Sequence, residues 1–304
     1  MTDVREQLER QGSLGSLSRS CRIDRVLIDD FQARSNQRPR AGFMGLTRTI
    51  EKRVIPSLVI AHAKPREELR AELPVVLRTT AASEVAVIAE QMLSGDIAGA
   101  EARVDTLRAQ GLTLETVYLQ LLAPAAMRLR DLWNNDLCGF AEATLALWRI
   151  QQLLRHYSGE FRAESAPHET GRRALLAPTP REKHDLSYAM FCLVLMSEFF
   201  RRDGWDAWIE PEPTSQEFTQ VVREQWFDVV EFLVSGDKQL DLLAARIRMI
   251  RRESPNRSIG VMVYGQVFIE HPELVLLVGA DLTATDARQG ALQAERLLAL
   301  THRS

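Results

Sequence analysis

RALLAPTPREKHDLSYAMFCLVLMSEFFRRDGWDAWIE, residues 173–210, decides the fold. Arg173–Pro178 reads as a short apolar strand, Ser187–Arg202 as a helix and Asp206–Glu210 as a second strand. A strand, a crossover helix and a strand in this order form the unit of a parallel sheet. The unit repeats downstream. Gln216–Gln225 reads as a helix, Phe227–Val234 as a strand, Leu240–Arg252 as a helix and Ser258–Tyr264 as a strand. Pro272–Val278 reads as a short helix, Asp281–Ala284 as a short strand and Ala287–Leu300 as the closing helix. The pattern predicts a doubly wound, flavodoxin-like α/β domain over 173–304 with strand order 2-1-3-4-5. The stretch AESAPHETGR, residues 163–172, reads as the linker before it.

Upstream the pattern is helical, with no convincing strand. Glu67–Arg78 and Ala82–Leu93 read as one broken helix, followed by Ile97–Gln110 with Gly111 at its C′ position. Leu114–Trp133 carries one apolar stripe and is expected to bend at Pro124. Phe140–Tyr157 is apolar on most sides, so it is expected to be buried or to cover a ligand as well as its neighbours. These lengths and short loops predict an all-α domain, a four-helix bundle over 65–162. Residues 1–64 read as an N-terminal arm ending in an amphipathic segment, Leu46–His62, interrupted by Pro56.

Composition narrows the function. Of 304 residues, 45% are apolar and 26% charged, with 16 glycines and 12 prolines, which excludes a collagenous, mucin-like or wholly disordered chain. The longest apolar run, Tyr188–Met196, has nine residues, against the roughly 20 that cross a bilayer. The N-terminal MTDVREQLERQGSLGS lacks an apolar core, so no secretory signal is expected and the cytoplasm is the expected location. The net charge of −3 disfavours a whole-protein nucleic-acid footprint. Residues 1–54 hold eleven Lys or Arg against seven Asp or Glu, so an acidic partner, DNA included, would meet the chain there; a solvated arm is the favoured reading. Cys21, Cys138 and Cys192 are widely spaced and read as structural thiols.

In the predicted strand order, ligands bind at the carboxyl ends of strands 1, 3 and 4. Pro180–Ser187, Val234–Asp237 and Tyr264–Phe268 converge there. His184 stands in the first of these with Glu182 two residues before it. A neutral imidazole can ligate a metal while a carboxylate holds its far nitrogen. No second cluster has zinc or iron spacing, so a metal at His184 would arrive inside a macrocycle.

These residues carry a resemblance. Glu182 and His184 on such a domain, preceded by LLAPAAMRLRDLWNNDLCGFAEAT (121–144), resemble the cobalamin-binding module of methionine synthase type. The regulatory branch is closer: the AerR/PpaA antirepressors of purple-bacterial photosynthesis genes and the related light sensors. Leu122, Pro124, Ala125, Leu129, Trp133, Asp136, Phe140 and Thr144 fit the bundle signature. IEKRVIPSLVIAHAKP (50–65) is similar to the segment before the bundle, and VGADLTATDA (278–287) to the last strand. The resemblance implies that His184 is the lower axial ligand of cobalt, with Glu182 behind it and Trp133 over the ring.

The chain departs from that family at several positions. Ser187 stands where a glycine is expected, Leu233 where a serine is expected with Ser235 two residues on, and Tyr264 with Gly265 where two glycines are expected. In the family these positions line the slot for the cofactor's nucleotide tail, which a tyrosine ring would obstruct. Residues resembling the extra upper-ligand histidine of the light sensors are missing, with Asn134 after Trp133 and Ala143 after Glu142.

A plainer reading accompanies each of these. His184 could be a surface or capping residue, Trp133 bundle core, and Tyr264 with Gln266 the closure of a vestigial pocket; Asp281 and Asp286 read as turn and helix-cap residues. No nucleophile–base pair, carboxylate pair or phosphate loop is visible, so the expectation is a non-enzymatic sensor. It would bind a tetrapyrrole, cobalamin first and haem second, respond to light or redox, and act through a transcriptional repressor. The alternatives are a cofactor-free interaction adapter and a corrinoid methyl carrier.

Overall fold

The computed structural model describes residues 75–165, 171–179, 186–211, 215–236 and 239–301. They belong to one compact unit, Arg53–Ser304. The basic arm and the segment Leu46–His62 lie outside the described residues, as do Glu182 and His184.

The helical part begins with α1 (Val75–Ser94) and α2 (Ile97–Ala109). Contrary to the expected break, α1 runs on through Thr79–Ala81. Two threonines cost a helix only a few tenths of a kcal/mol each, and burial of Ile88, Ala89 and Met92 further along anchors it. At the start of α2 the Asp96 carboxylate accepts from the Gly99 N–H at 2.9 Å. Beyond its end, Gly111 takes φ +98°, the left-handed conformation expected after a helix.

The expected bend at Pro124 takes a particular form. α3 (Leu114–Val117) passes into a π turn (Tyr118–Leu122) and then α4 (Ala123–Asn134). The Ala123 N–H donates to the carbonyl of Tyr118, five residues back. Proline lacks an N–H and its ring clashes with the carbonyl four residues before it in a regular helix; widening one turn relieves both problems. α5 (Phe140–His156) and the short α6 (Ser158–Ala163) complete the helical layer. Of the two expectations for α5, burial on most sides does not hold, since Phe140 is 63%, Leu145 51% and Trp148 51% exposed, and these residues stay open to cover a ligand. At 3.6 residues per turn only one stripe can face the core, and Ala146, Leu147, Ile150, Leu153 and Leu154 occupy it.

The second part is the predicted doubly wound sheet. In chain order it comprises β1 (Arg173–Pro178), α7 (Leu186–Arg202), β2 (Asp206–Ile209), α8 (Ser215–Glu224) and β3 (Val229–Leu233). Then come α9 (Leu240–Glu253), β4 (Gly260–Tyr264), α10 (Gln266–Glu270), α11 (Glu273–Val278), β5 (Leu282–Ala284) and α12 (Ala287–Thr301). Helix α10 was not anticipated from the sequence. All pairings are parallel and the strand order is β2-β1-β3-β4-β5. The register sets Leu176, Glu231 and Met262 side by side across the three central strands. Every residue of β3 is buried, as a parallel sheet covered on both faces requires.

Helix α7 joins the two parts. It touches β1, β2, β3 and α12 of the sheet domain and α4, α5 and α6 of the bundle. Eleven of its residues are buried, and one continuous apolar core runs through it from Leu154 and Phe161 to Val229 and Met262. Around this seam, Arg202 binds Glu115 at 2.6 Å and lies over the rings of Phe161 and Phe199 at 4.7 and 4.8 Å. Arg288 reaches the same Glu115 at 3.0 Å, and Ser158 donates to the buried carboxylate of Glu198.

A shared core predicts shared unfolding. Leu193→Ala, at a fully buried site on α7, should cost about 2–5 kcal/mol. Native-state hydrogen exchange should show α5 and β3 losing protection together; loss in β3 alone would mean that the two parts open independently.

Candidate functional site

Backbone hydrogen bonds fix the carboxyl ends of the central strands. The Thr179 N–H and hydroxyl both donate to the Leu233 carbonyl, at 2.8 and 2.9 Å, and the Val234 N–H donates to the Tyr264 carbonyl at 2.7 Å. At Gly265, φ is +156°, and a Cβ would lie 2.0 Å from the Val234 carbonyl oxygen. The glycine expected to border a ligand slot is therefore required by the backbone itself, where only hydrogen fits.

Beside this crest, where the bundle meets it, lies a cavity of about 390 Å³. Leu119, Ala123, Pro124 and Met127, from the π turn and α4, form an apolar wall. Tyr188 and Cys192 of α7 face them, with Tyr264 and Asp286 completing the enclosure. The widened turn at Pro124 thus shapes the bundle's side of the cavity. Burial pushes the Tyr188 phenol well above its usual range, and neighbouring Cys192 and Tyr264 push it further. The Arg130 guanidinium, 4.9 Å over the Tyr188 ring, opposes the rise only in part, so Tyr188 stays a neutral donor. Asp286 caps α12 by accepting from the Gln289 N–H at 2.9 Å. Asp281 accepts from the Val261 N–H at 2.9 Å and binds Arg251, so both aspartates act structurally as the sequence suggested.

The sequence-derived site residues divide around this cavity. Tyr264 lines it. Leu233, next to Tyr264 in the sheet register, is only 4% exposed and belongs to the core. Ser235 is exposed beyond the end of β3. The Ser187 hydroxyl meets that of Thr144 at 3.4 Å, tying the start of α7 to α5. Trp133 is half-buried, stands edge-on to Phe140 at 5.8 Å between centroids, and is not part of the cavity lining. Gln266 bonds Glu270 along α10, 2.8 Å away, instead of closing the pocket.

Sequence reasoning gave Tyr188 no role, read Cys192 only as a structural thiol, and passed over Glu231. The first two were hidden in an apolar run that reads as core. Glu231 carried a visible signal, a carboxylate in the middle of the apolar strand Phe227–Val234. It is fully buried under α12, where a Cβ on Gly290 would lie 3.2 Å from its Oε2, and neither oxygen has a hydrogen-bond partner among the described residues. Burial pushes its carboxyl up to about 8, from the usual 4.5. The folded state then holds a proton that the unfolded chain releases. The associated stability is complete below about pH 4.5 and is lost as pH rises through about 8. At about 1.4 kcal/mol per pH unit the loss amounts to several kcal/mol. Urea unfolding at pH 5.5 and pH 8.5 should show this decline, and Glu231→Gln should flatten it; an equal slope in the variant would assign the titration elsewhere.

No family model matches the chain. An uncharacterized 20.5 kDa protein in the bchF-crtJ intergenic region of Rhodobacter capsulatus is 25% identical over 182 residues, 60% of this chain and 92% of its own length. Among solved structures, the monomethylamine corrinoid protein of Methanosarcina barkeri matches with a TM-score of 0.54 at 11% identity, over 69% of this chain and 96% of its own. A cobalamin-binding protein from Desulfitobacterium hafniense matches at 15% identity over 70% of this chain and 98% of its own, with a TM-score of 0.36, too low to bear on the argument. The chain has the fold of corrinoid proteins, a helical bundle on a flavodoxin-like sheet, with its cavity where bundle and sheet meet.

Proposed function

We propose that this chain is a non-enzymatic, tetrapyrrole-binding regulator that takes cobalamin first and haem second and acts on transcription through a repressor protein. The observation that carries the reading is the cavity: on a corrinoid-protein fold, it opens between the strand crest and the bundle, with an apolar wall facing neutral Tyr188. Leu119, Ala123, Pro124 and Met127 suit the edge of a flat apolar ring. His184 would ligate the metal and Glu182 would hold the imidazole in place. The bound group would supply a metal centre whose axial ligation changes with light or redox. The R. capsulatus relative lies between bchF and crtJ, which supports an association with photosynthesis genes. The buried Leu233 favours the alternative of a cofactor-free interaction adapter.

The test is the spectrum of the full chain mixed in the dark with hydroxocobalamin, adenosylcobalamin or haemin and then desalted. The regulator reading expects colour to stay with the protein and His184→Ala to change the spectrum of the retained group. Colourless protein under all three conditions would leave only the adapter.

A further inference from the structure

Cobalamin is a ring with an appendage: a nucleotide hangs from the corrin on a flexible loop, whereas cobinamide and haem have none. To be buried, that nucleotide would have to pass from the cavity into the layer between the sheet and helices α7 and α12. That layer is full. Leu233, Met262 and Phe200 occupy it, all with 4% exposure or less, and Glu231 fills the space left by the absent side chain of Gly290. Tyr264 stands at the entrance, beside Leu233 in the register and packed against the same core.

The entrance cannot widen by a small shift of β4. The Val234 N–H holds the Tyr264 carbonyl at 2.7 Å, and at Gly265 the chains are so close that a Cβ would lie 2.0 Å from the Val234 oxygen. Rotating the tyrosine ring would still leave Leu233 and Glu231 beneath it. The cavity of about 390 Å³ is also at the small end of ligand pockets, which span roughly 300–1,000 Å³.

We propose that Tyr264 and Leu233, side by side on this locked crest, are together specificity-determining residues that admit a tetrapyrrole ring and leave any appended nucleotide outside. The inference rests on the tetrapyrrole reading above and sharpens it: affinity comes from the ring and its metal, and the nucleotide adds none.

Equilibrium titration of the full chain in the dark, followed by absorbance, compares hydroxocobalamin, aquacyanocobinamide and haemin. Aquacyanocobinamide should bind at least as tightly as hydroxocobalamin, since a nucleotide left in solvent adds no buried contact and its base must leave cobalt before His184 can ligate the metal. Tyr264→Gly combined with Leu233→Ser should shift the ratio of the two affinities toward hydroxocobalamin by about threefold or more and leave haemin unchanged, whereas either change alone should leave the ratio as it is; Tyr264→Ala combined with Leu233→Ala makes the same comparison if the first pair does not fold. Wild-type preference for hydroxocobalamin over cobinamide by about tenfold would show a buried nucleotide and overturn the proposal, leaving the tetrapyrrole reading intact. An unchanged ratio in the double variants would remove Tyr264 and Leu233 as the determinants. Binding of none of the three would overturn both readings together.

Discussion

Helix α7 has no solvent face to speak of, and that single constraint organises the molecule. A crossover helix on a parallel sheet normally buries one stripe and exposes the other. Here the run Tyr188–Met196 is apolar on every side, so its outer surface needs a second cover, and the bundle supplies it. The result is one core shared by two architectures. Each large apolar side chain so buried contributes about 1.5–3 kcal/mol relative to exposure, and α7 contributes Phe191, Leu193, Phe199 and Phe200 among others. The ion pairs of Glu115 with Arg202 and Arg288 fix the orientation around that seam more than they add to its strength.

The same constraint places the cavity. Strand order 2-1-3-4-5 sets the ends of β1, β3 and β4 along one edge, and α7 leaves that edge directly after β1. A bundle laid on α7 must therefore overhang the crest. Pro124 decides the shape of the overhang, because the π turn it imposes presents Leu119, Ala123 and Met127 to Tyr188 and Tyr264. A proline in a bundle helix, an apolar run in a crossover helix and a tyrosine at a strand end are unrelated in sequence, yet the topology makes them neighbours.

Legibility followed the range of the physics involved. Strand β1 and the alternation of elements were readable because they depend on local patterning. The bend at Pro124 was readable for the same reason, though its π geometry was not. Which of the two expected roles of α5, burial or covering a ligand, its outer stripe serves could not be read, because apolar composition says nothing about whether a partner surface exists beside it. At the site, Tyr264 could be singled out from the sequence, but the reason Gly265 must be glycine could not. That reason is a 2.0 Å approach to the Val234 carbonyl, made by residues 31 positions apart. Tyr188 and Cys192 gave no signal, since a core residue and a cavity residue in an apolar run look the same until the neighbouring helix widens.

The shared core also limits how this fold can respond to anything bound at the crest. Parting the bundle from the sheet would expose both sides of α7, a cost of tens of kcal/mol at about 1.5–3 per large side chain, beyond what a change of axial ligation can offset. The π turn is different. Its Ala123–Tyr118 hydrogen bond already spans one residue more than a regular helix turn, and an adjustment there moves Leu119, Ala123 and Met127 without opening the seam. From that turn α4 runs to Trp133, which meets Phe140 at the start of α5 edge to face. The widened turn and that aromatic contact thus lie at opposite ends of one helix, with the cavity wall beside the first.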